Sequence, residues 1–585
     1  MTEPEVSFVA PRPLRQDEPV RGWTILSDRP ADGLRVIERA HAYGINHLQL
    51  SHHIVHDLRH LRDMRRLALV KELTSAAHAA GIREVVLWDH VLYPIGYYPD
   101  RFKTGPDGTL DLDNAGFWEW LKADYRALLD KVPGIQGIVL TFIETGARVE
   151  KQHSNLRKAN HEKLAAAVNA VADVVIGERG MNLYARTFSY DEAEFRNIIP
   201  AVELFERREI RLMMKEAPHD FFLTHPNDRF AGTLRRPTII EFDAAGEFNG
   251  QGIIANTWPE YMLRRWSDYL SRDDIIGYTA RTDRYGGTRI IDRPSEINLF
   301  ALKRRFEDSA VDADQVYREF IAGRYGAAAV PLLHAAFANA FDLITSIFYT
   351  LGTHTCNHSR LDFDPYASSY ARHVSGKWID PPEVYVAHGV NRKFHYWRDI
   401  VEHIAPAWAK AGGARLCEVP RVVEAGWLTA EECMTEEYLR WILAEKDYGV
   451  RLAEASLQKV EAVAPHLDET DFAELRHHFT RTLLTARLYR ATASAYWGFR
   501  VWARGGDYRS APVTEIARAG LLSMREAVAA IRAYPVPPPR GEWTWAKDAS
   551  MADQYWRWIV EEGWPERTHG RGTGLGGVRF PLAAD

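Results

Sequence analysis

The sequence predicts an α/β chain: a (β/α)8 TIM barrel followed by an all-helical C-terminal domain. Three observations carry the prediction. Between about residues 22 and 310, eight short apolar runs alternate with helix-like stretches. Beyond that point strand-like runs are scarce and long periodic helical patterns dominate. Several of the apolar runs also end abruptly in ionisable residues. Alternating strand and helix imply a parallel sheet, and eight such units over about 290 residues imply a closed barrel. Charge at the C-terminal end of a buried strand is where barrel enzymes place their chemistry.

The expected strands, in order, are Trp23–Leu26, His47–Leu50, Glu84–Trp88, Gly137–Phe142, Asn182–Arg186, Leu212–Lys215, Thr238–Phe242 and Gly277–Ala280. Amphipathic patterns at Asp32–Ala42, Asp57–Ala80, Ala115–Leu129, Arg157–Ile176 and Pro259–Leu270 supply helices between them. No helix is expected between Lys215 and Thr238. The long Pro-, Asn- and Gly-containing loop there is of the kind that tends to be functional at a catalytic face. The later helices are expected at Asp314–Ala322, Ala327–Ile347, Thr435–Val463, Thr470–Arg504 and Val513–Tyr534. This gives a lead segment 1–21, a catalytic barrel 22–325 and a helical domain 326–585, whose plainest role is a buttress or a dimerisation surface. Two loops in that domain, Thr353–Ser359 and Asp362–Trp378, are rich in His, Asn, Tyr and Trp and could reach over the barrel mouth. The Gly-rich tail Thr568–Gly577 is expected to be loose.

Composition narrows the class. With 46% hydrophobic and 26% charged residues, the 585-residue chain has the profile of a globular protein rather than a disordered one. Its net charge of -6, with no long basic run, argues against nucleic acid as a partner. The first twenty residues lack an apolar core of the kind a secretory signal needs. No uninterrupted apolar stretch approaches the roughly 20 residues that span a bilayer, so no membrane partner is expected. Cys356, Cys417 and Cys433 form an odd, sparse set without CxxC spacing, which reads as reduced cytoplasmic thiols. No HExxH, GxGxxG, P-loop or GxSxG motif appears, so neither a metal nor another cofactor is expected.

The segment 211–252 concentrates the chemistry. Its first strand-like run ends in Lys215 and Glu216, with His219 and Asp220 close behind. Its second ends in Glu241 and Asp243, with Glu247 following. Other strand ends contribute Trp88, Asp89 and His90, then Glu144, Arg186 and Arg281. An inverting glycosidase needs a protonated carboxyl group to release the leaving oxygen. It also needs a second carboxylate, roughly 6.5–9.5 Å away, to activate water. Glu144 on the fourth strand lies well around the barrel from Asp220 and Glu247, as opposed groups should. Against this stands the ordinary fate of a strand-end carboxylate, an ion pair or a solvated surface. Lys215 and Arg186 would serve equally well as neutralising partners.

In these motifs the chain resembles family 67 of the glycoside hydrolases. Those inverting α-glucuronidases remove (4-O-methyl)glucuronic acid from xylan fragments. Lys215 precedes Asp220-Phe221 by five residues, and Glu241-Phe242 is followed by Glu247-Phe248-Asn249-Gly250-Gln251, as in that family. Glu144 in FIETG, Arg186 in YARTF, Gly44–Leu50 and Leu351–His354 echo further family elements. The resemblance implies Glu144 as general acid and Asp220 with Glu247 as the groups that activate water. Arg186 and Lys215 would hold the sugar carboxylate, and Trp88, Asp89, His90, Arg281 and His354 would complete the substrate site. It also implies an oligosaccharide partner and a homodimer through the helical domain. Glu241 reads as structural. Three departures are plain: Leu140 stands where the family carries a uronate-binding Lys, almost nothing precedes the first strand, and Gly246-Glu247 replaces the family's Gln-Glu pair. The same fold and mechanism on a different α-linked glycone, or a non-catalytic carbohydrate-binding barrel, are the alternatives.

Overall fold

The computed structural model describes residues 11–188, 192–218, 220–223, 226–350, 353–354, 356, 358–365, 435–534, 545–568 and 571–582. His219, Cys417, Cys433 and the part of the 362–378 loop beyond Pro365 lie outside the described residues.

Eight parallel strands close into a barrel in sequence order. They are β1 (Val20–Ile25), β2 (His47–Leu50), β3 (Glu84–His90), β4 (Gly137–Thr141), β5 (Asn182–Thr187), β6 (Arg211–Lys215), β7 (Thr238–Phe242) and β8 (Ile275–Arg281). Nearly every strand residue is buried, because helices cover the outer face while side chains fill the inner one. The intervening helices are α1 (Pro30–Ala40), α2 (Met64–Ala79), α3 (Ala115–Leu129), α4 (Asn160–Ala172), α5 (Glu192–Glu203) and α6 (Pro259–Leu270). Local sequence sets their starts: the Asp63 side chain accepts from the Arg65 and Arg66 amides, and Asn114 accepts from Gly116. As expected, the chain between Lys215 and Thr238 contains no helix among its described residues.

Closure depends on one glycine. β8 pairs with both β7 and β1, and its register against β7 skips Ile276. A Cβ on Gly277 would lie 1.9 Å from the Val20 carbonyl oxygen, so no other residue fits this approach.

The barrel interior is layered. Val20, Val86, Trp88, Val139, Tyr184, Met213 and Ile239 form its apolar middle, with Leu14 packed on them. At the N-terminal end of the strands lies a polar network that the sequence reading did not anticipate. The Glu84 carboxylate takes His47 Nδ1 at 2.6 Å and the Tyr184 hydroxyl at 2.7 Å. Arg211 donates to the Tyr184 hydroxyl and to the Leu14 carbonyl, both at 2.6 Å. Because Val139 points inward, the neighbouring Leu140 faces the helical layer. A lysine at position 140 would therefore not reach the barrel interior.

The chain divides into two compact units that interleave in sequence. The barrel unit comprises Met1–Asp220, Asn227–Ala244 and Arg265–Ile291. The second comprises Phe221–Pro226, Ala245–Arg264 and Asp292–Asp585. Its helices are α7 (Ile297–Glu307), α8 (Ala313–Tyr325), α9 (Val330–Phe337), α10 (Ala340–Phe348), α11 (Glu436–Ala462), α12 (Glu469–Trp502), α13 (Ala511–Ala533) and α14 (Trp545–Trp556). The stretch Ala327–Phe348 is long and apolar enough to cross a membrane by length and composition. The expected single helix there is broken into α9 and α10, and Asn339 at the break donates to Ser456 on α11 at 3.0 Å. The tail expected to be loose is tied down: Trp564 and Val578 pair through their backbones, and Thr573 Oγ1 donates to Pro565 O at 2.6 Å.

Candidate active site

At the C-terminal ends of β5 to β8, strand alternation turns Arg186, Lys215, Glu241 and Arg281 into the barrel. Lys215 stands opposite Glu241 in the β6–β7 register. The Glu241 carboxylate is fully buried and accepts from both guanidiniums. Arg186 Nε reaches Oε2 at 2.7 Å and Nη2 reaches Oε1 at 3.3 Å. Arg281 approaches Oε1 with Nε at 3.0 Å and Nη2 at 2.9 Å. Burial alone would raise the Glu241 pKa, but Arg186, Arg281 and Lys215 together hold it down at about 2. Trp88 and Phe188 flank Arg186, their ring centres 4.5 and 4.8 Å from the guanidinium carbon.

Lys215 is almost sealed from solvent, pairs with Asp220 and lies 3.8 Å from the centre of the Phe188 ring. Burial lowers its pKa, opposed by the charges of Asp220, Glu241 and Glu144 and assisted by that of Arg186. Glu144 follows two buried residues at the end of β4 and is itself exposed. Both Glu144 and Asp220 hold φ near +50°, at 52° and 53°, in the left-handed region that non-glycine residues seldom enter. Such conformations concentrate at functional sites, where surrounding structure over-determines the strain.

The β3 end divides. Trp88 donates to Gln49 Oε1 at 2.9 Å and forms part of the interior wall. Asp89 points the other way. It accepts from the Leu58 amide, the Tyr93 hydroxyl and the Tyr125 hydroxyl, so it anchors the loop after β2 rather than facing the Arg186 group. Burial raises its pKa to about 6 against those hydrogen bonds. His90 bonds the His56 carbonyl through Nδ1 at 2.7 Å and stacks on the His56 ring at 4.0 Å. Burial and neighbouring cations push its pKa to about 3, so it is a neutral ring.

Of three further residues near this group, Phe188 escaped the sequence reading, while His52 and Glu216 were given no part in the site. Phe188 and His52 lie just past the ends of β5 and β2, where the strand-end rule could have found them. His52 packs against Trp88 at 5.0 Å, and burial with Arg284, Arg281 and Arg186 keeps it uncharged. Glu216 follows Lys215 but faces outward. It is 2% exposed, and burial raises its pKa to about 8 despite the charge of Arg265, with Asp243 adding to the rise. Its Oε2 has no hydrogen-bond partner.

Glu247 belongs to the second unit. Its carboxylate lies 3.4 Å from His358 Nε2, and the Phe248 ring stacks on His358 at 4.8 Å. Ser359 Oγ donates to the Glu247 carbonyl at 3.0 Å and accepts from the Gly250 amide at 2.8 Å. Gln251 donates to the His358 carbonyl at 2.8 Å. The 246–251 turn, with left-handed Gly246, Gly250 and Gln251, is thereby fastened to the 358–359 part of the expected Thr353–Ser359 loop. His354 lies in the two-residue strand Thr353–His354, paired with Tyr349–Thr350. Among the described residues no group of three or more His, Cys, Asp or Glu is placed to hold a metal ion.

No family model matches the chain, and no curated protein matches it by sequence. Solved structures do. A GH138 enzyme targeting pectin rhamnogalacturonan II is similar with a TM-score of 0.55 at 11% identity, over 94% of this chain and 83% of that one. An O-GlcNAc hydrolase of Thermobaculum terrenum gives a TM-score of 0.45 at 11% identity, over 93% and 95%. A family GH115 4-O-methyl-alpha-glucuronidase with specificity for decorated arabinogalactans gives 0.46 at 10%, over 88% of this chain and 59% of that one. The likeness to the GH138 enzyme is one of fold: a TIM barrel followed by a helical region.

Proposed function

We propose that the protein is an inverting, exo-acting glycoside hydrolase that removes an α-linked glucuronic acid, or its 4-O-methyl derivative, from oligosaccharides. The observation that carries this reading is the group of three buried cations, Arg186, Arg281 and Lys215, around two carboxylates at the catalytic end of the barrel. A guanidinium offers five N–H donors in a plane suited to a carboxylate, and a buried ammonium adds a point charge.

In this mechanism Glu144 protonates the glycosidic oxygen as the C–O bond breaks. Water attacks the anomeric carbon from the opposite face and gives its proton to a carboxylate. The α-linkage is released as the β-anomer. Asp220 is assigned to water activation: it is held by Lys215 at the same end of the barrel as Glu241. Glu247 is the second carboxylate that the motif spacing supplies for that duty. Leu140 does not weaken the uronate reading, since its position faces the helices. The sparse cysteines, with the Cys356 thiol buried, fit a protein working in the cytoplasm on imported fragments.

A panel of aryl α-glycosides tests the glycone. Hydrolysis of the glucuronide with no turnover of the glucoside, galactoside or xyloside is expected. Turnover of neutral glycosides with the glucuronide untouched would establish the alternative glycone instead.

A further inference from the structure

We infer that Gln49 is a positioning residue: its side-chain amide anchors the Trp88 indole inside the barrel and so holds that ring in place against Arg186. The inference rests on the uronate reading above, in which Arg186 binds the substrate, and adds what fixes the wall behind that arginine.

His47 and Gln49 alternate with Leu48 along β2, so both turn into the barrel, where Gln49 is fully buried. Gln49 Oε1 accepts from Trp88 Nε1 at 2.9 Å and from Thr24 Oγ1 at 3.1 Å. Gln49 Nε2 reaches His47 Nε2 at 3.0 Å and Met213 Sδ at 3.3 Å. One amide thus meets β1, β3 and β6 as well as its own strand. An indole N–H can only donate, so turning the amide over would set its NH2 group against that N–H. With the amide fixed, its Nε2 donates and His47 Nε2 must accept. The His47 proton therefore sits on Nδ1, which donates to Glu84 Oε2 at 2.6 Å. A Cβ on Gly22 would lie 2.8 Å from His47 Cδ2, so the ring is pressed close against β1. Donation runs in one direction, from Trp88 through Gln49 and His47 to the Glu84 carboxylate. At the other end the Trp88 ring is 1% exposed, and its centre lies 4.5 Å from the Arg186 guanidinium carbon. Removing Oε1 would leave the buried indole N–H without its acceptor. A ring that turned to find another would withdraw the face on which the guanidinium rests.

The test compares Gln49→Met, Gln49→Glu and Trp88→Phe by two measurements. One is KM and kcat on the aryl α-glucuronide; the other is heteronuclear NMR of the histidine ring nitrogens and of the Arg186 Nε–H. Gln49→Met keeps the volume and removes the acceptor. It should raise KM about fivefold, the scale of one buried neutral hydrogen bond, leave kcat nearly unchanged, and shift the Arg186 resonance. Gln49→Glu keeps an acceptor for the indole, so KM and the Arg186 resonance should stay near wild type. There His47 Nε2 should gain a proton to meet the new carboxylate, whereas in wild type it should be bare. In the Trp88→Phe background, Gln49→Met should add no further rise in KM, because Gln49 acts through the indole N–H. If Gln49→Met does not fold, Trp88→Phe and Gln49→Glu carry the comparison, the first with raised KM and a shifted resonance, the second with neither. An unmoved KM and Arg186 resonance in Gln49→Met, a further rise in the Trp88→Phe background, or a protonated His47 Nε2 in wild type would each overturn the inference and leave the glycosidase reading in place. No hydrolysis by wild type would overturn that reading, and the Arg186 resonance in Gln49→Met would still decide whether Gln49 holds the wall.

Discussion

Lys215 and Glu216 are chain neighbours with opposite environments, and β6 separates them. Lys215 turns inward to Asp220, while Glu216 turns outward toward Arg265, and there burial lifts its pKa from 4.5 to about 8. The folded protein therefore binds one proton more than the unfolded chain between about pH 4.5 and pH 8. Stability must fall as pH rises through that window, and the contribution is fully present only below it. Glu216→Gln cannot titrate. Urea denaturation should show it nearly matching wild type at pH 5 and exceeding it by on the order of a few kcal/mol near pH 8. Parallel pH profiles of the two proteins would contradict the account. At this scale the sequence was partly legible. The Lys215–Asp220 spacing and the strand-end positions of Arg186 and Arg281 were readable, because a strand end is visible as an apolar run meeting charge. The outward turn of Asp89 was not, since its three hydrogen-bond donors come from residues 58, 93 and 125. Nor could the sequence tell Glu216 from Lys215, because that distinction is a matter of register.

At the scale of elements, all eight strands lie where the apolar runs placed them, within about three residues, a usual error for boundaries. Ala115–Leu129 and Pro259–Leu270 match to the residue. The helix Glu192–Glu203 escaped notice because Pro200 interrupts its pattern. Ala327–Ile347 read as one helix because periodicity does not register the break at residues 338–339. The polar network of His47, Glu84, Tyr184 and Arg211 was also hidden, because its members come from four strands. The β1–β8 seam makes a sharp prediction. Gly277→Ala would drive a methyl group into the Val20 carbonyl and should cost about 3 kcal/mol or more. A lowered urea midpoint checks this, and wild-type stability would show that the seam does not close as described.

At the scale of the molecule, the two units interleave: 221–226 and 245–264 leave the barrel's chain and pack with the second unit. Residues 1–291 alone would carry Phe221, Phe222, Phe248 and Trp258, all buried in the full chain, with no partner unit to receive them. That fragment should be largely insoluble under conditions that keep the full chain in solution; a soluble fragment with native far-UV circular dichroism would contradict the interleaving. The alternation of strand and helix made the barrel legible, but the exchange of loop segments left no local mark in the sequence.

The central claim is the chemistry, and one measurement reaches it most directly. Proton NMR of an aldouronic acid digest, recorded within the first minutes, should show β-glucuronic acid appearing before mutarotation produces the α-anomer. An initial α-anomer would contradict the inverting assignment of Glu144 and Asp220, and no released uronic acid would contradict the proposed function itself.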